Sequence, residues 1–189
     1  MNMARIRYLA VVAGILCGCN QTKVKTEWKD PGYTGPAVSS VVALCLPADS
    51  KEKECEDEFV RQLTKDGISA VPGHSAIAAA GSKESAMAKA REMGVGMVLV
   101  SRFLQIKSEV DPPVYGGPMF MQGLDVWAEY PRYLERQYQV FATVLYDANG
   151  KVIWSAVSDT FASSSEKKTM AHYVSAMIKK MKHQGLIAH

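Results

Sequence analysis

No apolar run in this chain approaches the roughly 20 residues that a bilayer-spanning helix needs; the run at 9–16, LAVVAGIL, is less than half that length. Charge of one sign is also lacking. Lys and Arg number 22 against 19 Asp and Glu. The formal charge of +3 falls to about +1 if Arg5 and Arg7 are lost with the N-terminal segment. That balance excludes the dense basic surface by which proteins grip nucleic acid. Cysteine is scarce, four residues in all, and the pair Cys17-Gly18-Cys19 has no second pair to complete a four-ligand metal site. No internal repeat is visible, so solenoid architectures are excluded.

What is present begins at the N-terminus. Arg5 and Arg7 precede the apolar stretch, which ends in the small residues of ILCGCN at 15–20. A positive start, a short apolar middle and small residues at the end describe a secretory signal. The string Leu16-Cys17-Gly18-Cys19 resembles the lipobox of bacterial lipoproteins, in which a branched apolar residue and small residues precede the lipid-bearing cysteine. The resemblance implies cleavage after residue 18 and lipid attachment at Cys19. Asn20 follows, not the Asp that favours inner-membrane retention in enterobacterial lipoproteins, so the implied address is the outer membrane, facing the periplasm.

The remaining 171 residues suit one ordinary domain. Residues 19–37 are polar with Gly and Pro and read as a tether. Residues 38–46 form an apolar run typical of a central buried strand. A helix over 51–66 carries Cys55, Phe59 and Leu63 on one side and closes at Gly67. A short strand follows at 68–71. The next helix, 82–93, is expected to be capped by Ser82 and to turn Ala86, Ala90 and Met93 inward. Strands are expected at 97–106, 138–146 and 151–161, the last two joined by DANG, a hairpin signal. A helix over 166–182 aligns Met170, Tyr173, Val174, Met177, Ile178 and Met181 in one apolar stripe. The order predicts an α/β domain over 38–187, with a mixed five-stranded sheet in the order 2-1-3-4-5. Three strands would be parallel and two would form an antiparallel hairpin, with helices on both faces.

Cys45 lies in the first strand and Cys55 on the apolar side of the following helix, so both point toward one layer. An oxidising compartment permits a bridge between them. Two buried free thiols, packed as small apolar side chains, are the other outcome.

WKDPGYTG at 28–35, EDEFVRQL at 56–63, AVP at 70–72 and LYDANGKVIWSAVSDTF at 145–161 resemble a group of uncharacterised bacterial lipoproteins that share a lipobox, a WxDPxYTG start and one α/β domain. The order of elements is also similar to envelope-assembly modules, such as outer-membrane lipoprotein activators of peptidoglycan synthases and the soluble part of curli secretion lipoproteins. Likeness at that level is one of fold and says little about function.

Strings with a catalytic look are incomplete. GHSAI at 73–77 sets Ser75 beside His74 but lacks the closing Gly of a nucleophile elbow. Ser165 and Lys168 form Ser-x-x-Lys at a helix start, where a Ser cap explains the pattern. His172 and His183 have no partner pattern for zinc. The acidic EKECEDE at 52–58 reads as a solvated helix face favoured by the dipole. The basic face of the last helix, with Lys167, Lys168, Lys179, Lys180 and Lys182, suits either an anionic membrane or the dipole at a helix C-terminus. No catalytic residue, metal or cofactor is expected.

The stretch 111–133, DPPVYGGPMFMQGLDVWAEYPRY, has four prolines and an unusual density of large side chains. Long loops in compact domains are functional or disordered, and disordered segments are poor in aromatics. Tyr115, Phe120, Trp127, Tyr130 and Tyr133 therefore either fold back on the domain or meet a partner. The expected function is a lipid-anchored, non-catalytic binding or assembly module of the envelope, held to the membrane by its lipid and to a protein partner by this loop, without nucleic acid. A structural subunit of an envelope complex and a small serine hydrolase using Ser75 or Ser165 are the alternatives.

Overall fold

The computed structural model describes residues 21–46, 50–76, 83–111, 114–115 and 131–187. The strand Ser40–Leu46 (β2) is its centre. Val41, Ala43 and Cys45 face one side and join a large core cluster, while Val42 and Leu44 face the other and join a smaller one. Both faces are apolar because both are covered, which is why the sequence shows a continuous run and no alternation. The helix Ser50–Lys65 (α1) follows and lays Cys55, Phe59 and Leu63 on the larger core. The short strand Ser69–Pro72 (β3) pairs in parallel with β2, and one turn of helix, Gly73–Ala76 (α2), ends it.

The helix Lys83–Glu92 (α3) covers the opposite face, with Ala86, Met87 and Ala90 against Val42, Leu44, Val98 and Val100. Met93 is not part of that inner surface. The helix ends at Glu92 and Gly94 turns the chain at φ 68°, which leaves Met93 41 % exposed and gives its expected place to Met87. Ser82, the expected cap, lies outside the described residues.

The strand Met97–Val110 (β4) pairs in parallel with β2 and antiparallel with Glu135–Asp147 (β7), which turns through DANG into Val152–Phe161 (β8). In that turn Asp147 Oδ1 accepts the backbone N–H groups of Asn149 and Lys151, each at 2.9 Å, and Gly150 supplies a φ of 87°. The helix Glu166–His183 (α4) closes the larger core. Its six expected inward residues are all buried, and Ser165 caps it by accepting the N–H of Lys168.

The sheet has six strands, not five, in the order β1-β8-β7-β4-β2-β3. The five expected strands keep their expected order. The sixth, Thr22–Lys29 (β1), comes from the stretch assigned to the tether and lies antiparallel to β8. It escaped the sequence reading because TKVKTEWK is mostly polar. An edge strand needs little apolar surface, and lysines protect such an edge from pairing with other chains. Polar contacts fasten it instead. Thr22 and Thr160 hydroxyls meet at 3.1 Å, Trp154 Nε1–H donates to Glu27 at 3.2 Å, and Lys29 Nζ donates to Gln184 O at 2.7 Å.

The WKDPGYTG stretch is the turn that leaves this strand. Asp30 Oδ1 accepts the Gly32 N–H at 3.0 Å, Tyr33 N–H donates to Asp30 O at 3.1 Å, and Tyr33 OH donates to Pro36 O at 2.8 Å. A Cβ on Gly35 would stand 2.7 Å from the Tyr33 ring, so a side chain there would have to displace that ring and its hydrogen bond to Pro36.

Candidate contact site

β4 outruns the body of the sheet. Its first five residues, Met97 to Ser101, are buried, and those beyond are almost all exposed. β2 ends its pairing with β4 at Arg102, and β8 pairs with β7 only as far as Tyr138. Beyond the body of the sheet β4 and β7 form a ribbon that starts at Leu104 and loses its third strand after Lys107↔Tyr138, so that Ser108↔Gln137, Glu109↔Arg136 and Val110↔Glu135 are two-stranded among the described residues. A bulge between Phe103 and Gln105 bends its root.

The ribbon is rooted through aromatic rings. Phe103 meets Phe141 edge-on at 5.8 Å, and Phe141 stacks on Tyr173 at 4.2 Å in the core. Further out the side chains are apolar yet open to solvent: Leu104, Ile106 at 61 %, Val110 at 63 % and Leu134. Charged groups hold the two strands and their neighbours in line. Arg136 Nε lies 2.6 Å from Asp111, and Lys107 lies 2.5 Å from Glu109 and 3.5 Å from Asp159. The hydrogen bond from Lys107 holds the Glu109 carboxyl below the ordinary glutamate range.

At the outer end Asp111 N–H donates to Leu134 O at 3.0 Å. Val114–Tyr115 (β5) then pairs antiparallel with Pro131–Arg132 (β6). The expected loop of 111–133 is thus partly a ladder, and its two ends run side by side. The ladder could not be read from sequence, because two-residue strands beside prolines carry no periodic signal. Tyr133 is 65 % exposed at the base of this ladder. Phe120, Trp127 and Tyr130 lie outside the described residues, as does Cys19; Tyr115 is placed only as part of β5.

The other residues singled out in the sequence have structural partners. Cys45 and Cys55 are joined by a disulfide, with their Cα atoms 6.3 Å apart. Ser75 Oγ donates to Pro72 O at 3.0 Å. The adjacent His74 ring is instead held by carboxylates, Nδ1 at 2.8 Å from Glu56 and Nε2 at 3.6 Å from Asp57. Ser165 is the cap of α4, and His172 is exposed on that helix with His183 at its end. No cluster of three or more metal-ligating side chains occurs among the described residues. No described helix is long and apolar enough to cross a membrane.

Two acids of the run 52–58 in α1 are buried where a solvated face was expected. Glu58 accepts from Arg61 and Gln62, and Glu56 is 2 % exposed. Its carboxylate accepts Cys45 N–H at 2.9 Å and His74 N–H at 2.7 Å, besides meeting the His74 ring. It thereby satisfies backbone donors where β2 and α2 meet. A Cβ on Gly73 would come within 3.0 Å of Glu56 Oε1 and within 2.9 Å of Leu44 Cδ1, so this junction is tight. Nothing local distinguishes Glu56 from its acidic neighbours, since all suit the first turns of a helix.

No family model matches the chain, and no curated protein matches it in sequence. Among solved structures it is similar to the PelC dodecamer from Paraburkholderia phytofirmans, with 16 % identity and a TM-score of 0.46 over 83 % of this chain and 94 % of that one.

Proposed function

We propose that this protein is a lipid-anchored, non-catalytic binding or assembly module of the bacterial envelope, which meets a protein partner through the β4–β7 ribbon and the 111–133 segment it carries. One observation supports the contact above all. Apolar side chains of the ribbon stand in solvent on a pair of strands that is otherwise ordered by ion pairs and rooted in the core. Exposed apolar patches on a rigid element are where protein contacts form. The anchor rests on the lipobox ending at Cys19, and the outer membrane, facing the periplasm, on Asn20 after it. The hydroxyls of Ser75 and Ser165 are engaged in turn and cap hydrogen bonds, which favours the binding role over the hydrolase.

The test is capture of envelope proteins from detergent extracts by the tagged chain. Replacing Ile106 and Leu134 together by Gln is expected to weaken capture about thirtyfold, the effect of removing one anchor worth about 2 kcal/mol. Stability should change by less than about 1 kcal/mol, because neither side chain is buried. Undiminished capture by a normally folded variant would remove the ribbon from the contact.

A further inference from the structure

We propose that the solvent face of α4 is a docking surface for an anionic lipid bilayer, with its basic side chains against headgroup phosphates. The inference deepens the lipid-anchor reading by naming the face of the domain that the anchor holds to the membrane. Lys168, His172, Ser175, Lys179 and His183 recur at helical spacing, all exposed, within about a third of the helix circumference. The one acid of α4, Glu166, lies on another side and accepts a hydrogen bond from Gln139. Lys180 and Lys182 are already paired, with Glu27 at 3.1 Å and Asp66 at 2.7 Å. Lys168 and Lys179 are in no ion pair formed by the described residues.

Two further observations separate this face from an ordinary solvated helix. The helix dipole accounts for cations in the last turn but opposes them in the first, where Lys167 and Lys168 stand. The position of the N-terminal chain gives the second. Gln21 lines a groove with His172, Ser175, Lys179 and His183, and its carbonyl accepts the Phe161 N–H at 2.7 Å. Cys19 is two residues away, a reach of at most about 7 Å. A lipid on Cys19 would therefore enter the bilayer beside this stripe. A second groove on the other flank of α4 brings in Lys65 of α1 beside Lys179. Basic residues so close to an anchor add attraction to anionic lipid, about fivefold each.

Co-sedimentation with vesicles tests this. A chain beginning at Asn20 keeps every described element and has no lipid of its own. It is expected to bind vesicles of phosphatidylcholine mixed with phosphatidylglycerol, to ignore vesicles of phosphatidylcholine alone, and to be released by salt. Replacing Lys65, Lys168 and Lys179 by Gln should weaken binding about a hundredfold. The same three positions changed to Arg should bind as the parent does, which separates charge from any damage to folding. Equal binding to both vesicle types, or undiminished binding by the Gln variant, would overturn the docking face. Partner capture through the ribbon does not depend on these lysines, so its success beside a failed vesicle assay would leave the proposed function standing.

Discussion

Tyr173→Ala is expected to cost about 4–5 kcal/mol of folding stability, the upper range for emptying a buried aromatic site. Tyr173 is wholly buried. Its ring stacks on Phe141 at 4.2 Å and takes Phe59 edge-on at 5.8 Å. Its hydroxyl meets Ser101 Oγ at 2.6 Å and Thr143 Oγ1 at 2.5 Å, and both of those residues are themselves buried. Truncation therefore opens a cavity and strands two hydroxyls at once. Phe141 also carries Phe103 at the ribbon root, so the change should loosen the ribbon as well.

Tyr173→Phe keeps the ring and is expected to cost only about 1–2 kcal/mol. It should also alter the alkaline limb of the stability profile. Burial pushes the Tyr173 hydroxyl from 10.0 up to about 12. Its folded value exceeds its unfolded value, so the stability it contributes is complete below pH 10 and is lost as pH rises from about 10 through 12. Denaturant titrations across that window should show the loss in the parent and a shallower one in the Phe variant. Equal slopes would mean that the hydroxyl is not shielded as described.

Reducing the Cys45–Cys55 bond is expected to lower stability by about 3 kcal/mol. The bond closes a loop of sequence separation 10, and the chain-entropy model gives roughly that figure for a ring of this size. The bond fastens the end of β2 to the first half of α1. Glu56, next to Cys55, fastens the same place by accepting Cys45 N–H. The two devices share partners, so their effects should not be additive. Urea unfolding with and without reductant measures this, and the midpoint should fall by about 1–2 M. An unchanged midpoint, with reduction verified by mass, would show that two packed thiols serve as well as the bridge.

Legibility in the sequence followed the period of the burial. The α4 stripe could be read residue by residue, because a helix against a core imposes a 3.6-residue repeat. The β2 run could be read because both of its faces are covered. DANG announced its hairpin by turn chemistry alone. β1 could not be read, since its attachment is a set of polar contacts to residues more than a hundred positions away. The expected strand at 97–106 stopped short of the last four residues of β4, because 107–110 are polar but for Val110, which is apolar without being buried, so no face repeats there. Glu56 was hidden among acids that look alike until β2 and α2 are brought over one of them. The aromatic stretch at 111–133 was legible as an anomaly of composition, while the ladder that brings its ends together was not.

The central claim is that the ribbon meets an envelope partner while the protein is held at the membrane. A photo-crosslinking amino acid placed at Ile106 in intact cells tests it most directly, with the same probe at exposed Ser69 on β3 as the comparison. The account predicts a discrete envelope-protein adduct from Ile106, little or none from Ser69, and its disappearance when Cys19→Ala removes the anchor. Adducts of equal yield from both positions, or none from Ile106 in a correctly folded and localised chain, would contradict it.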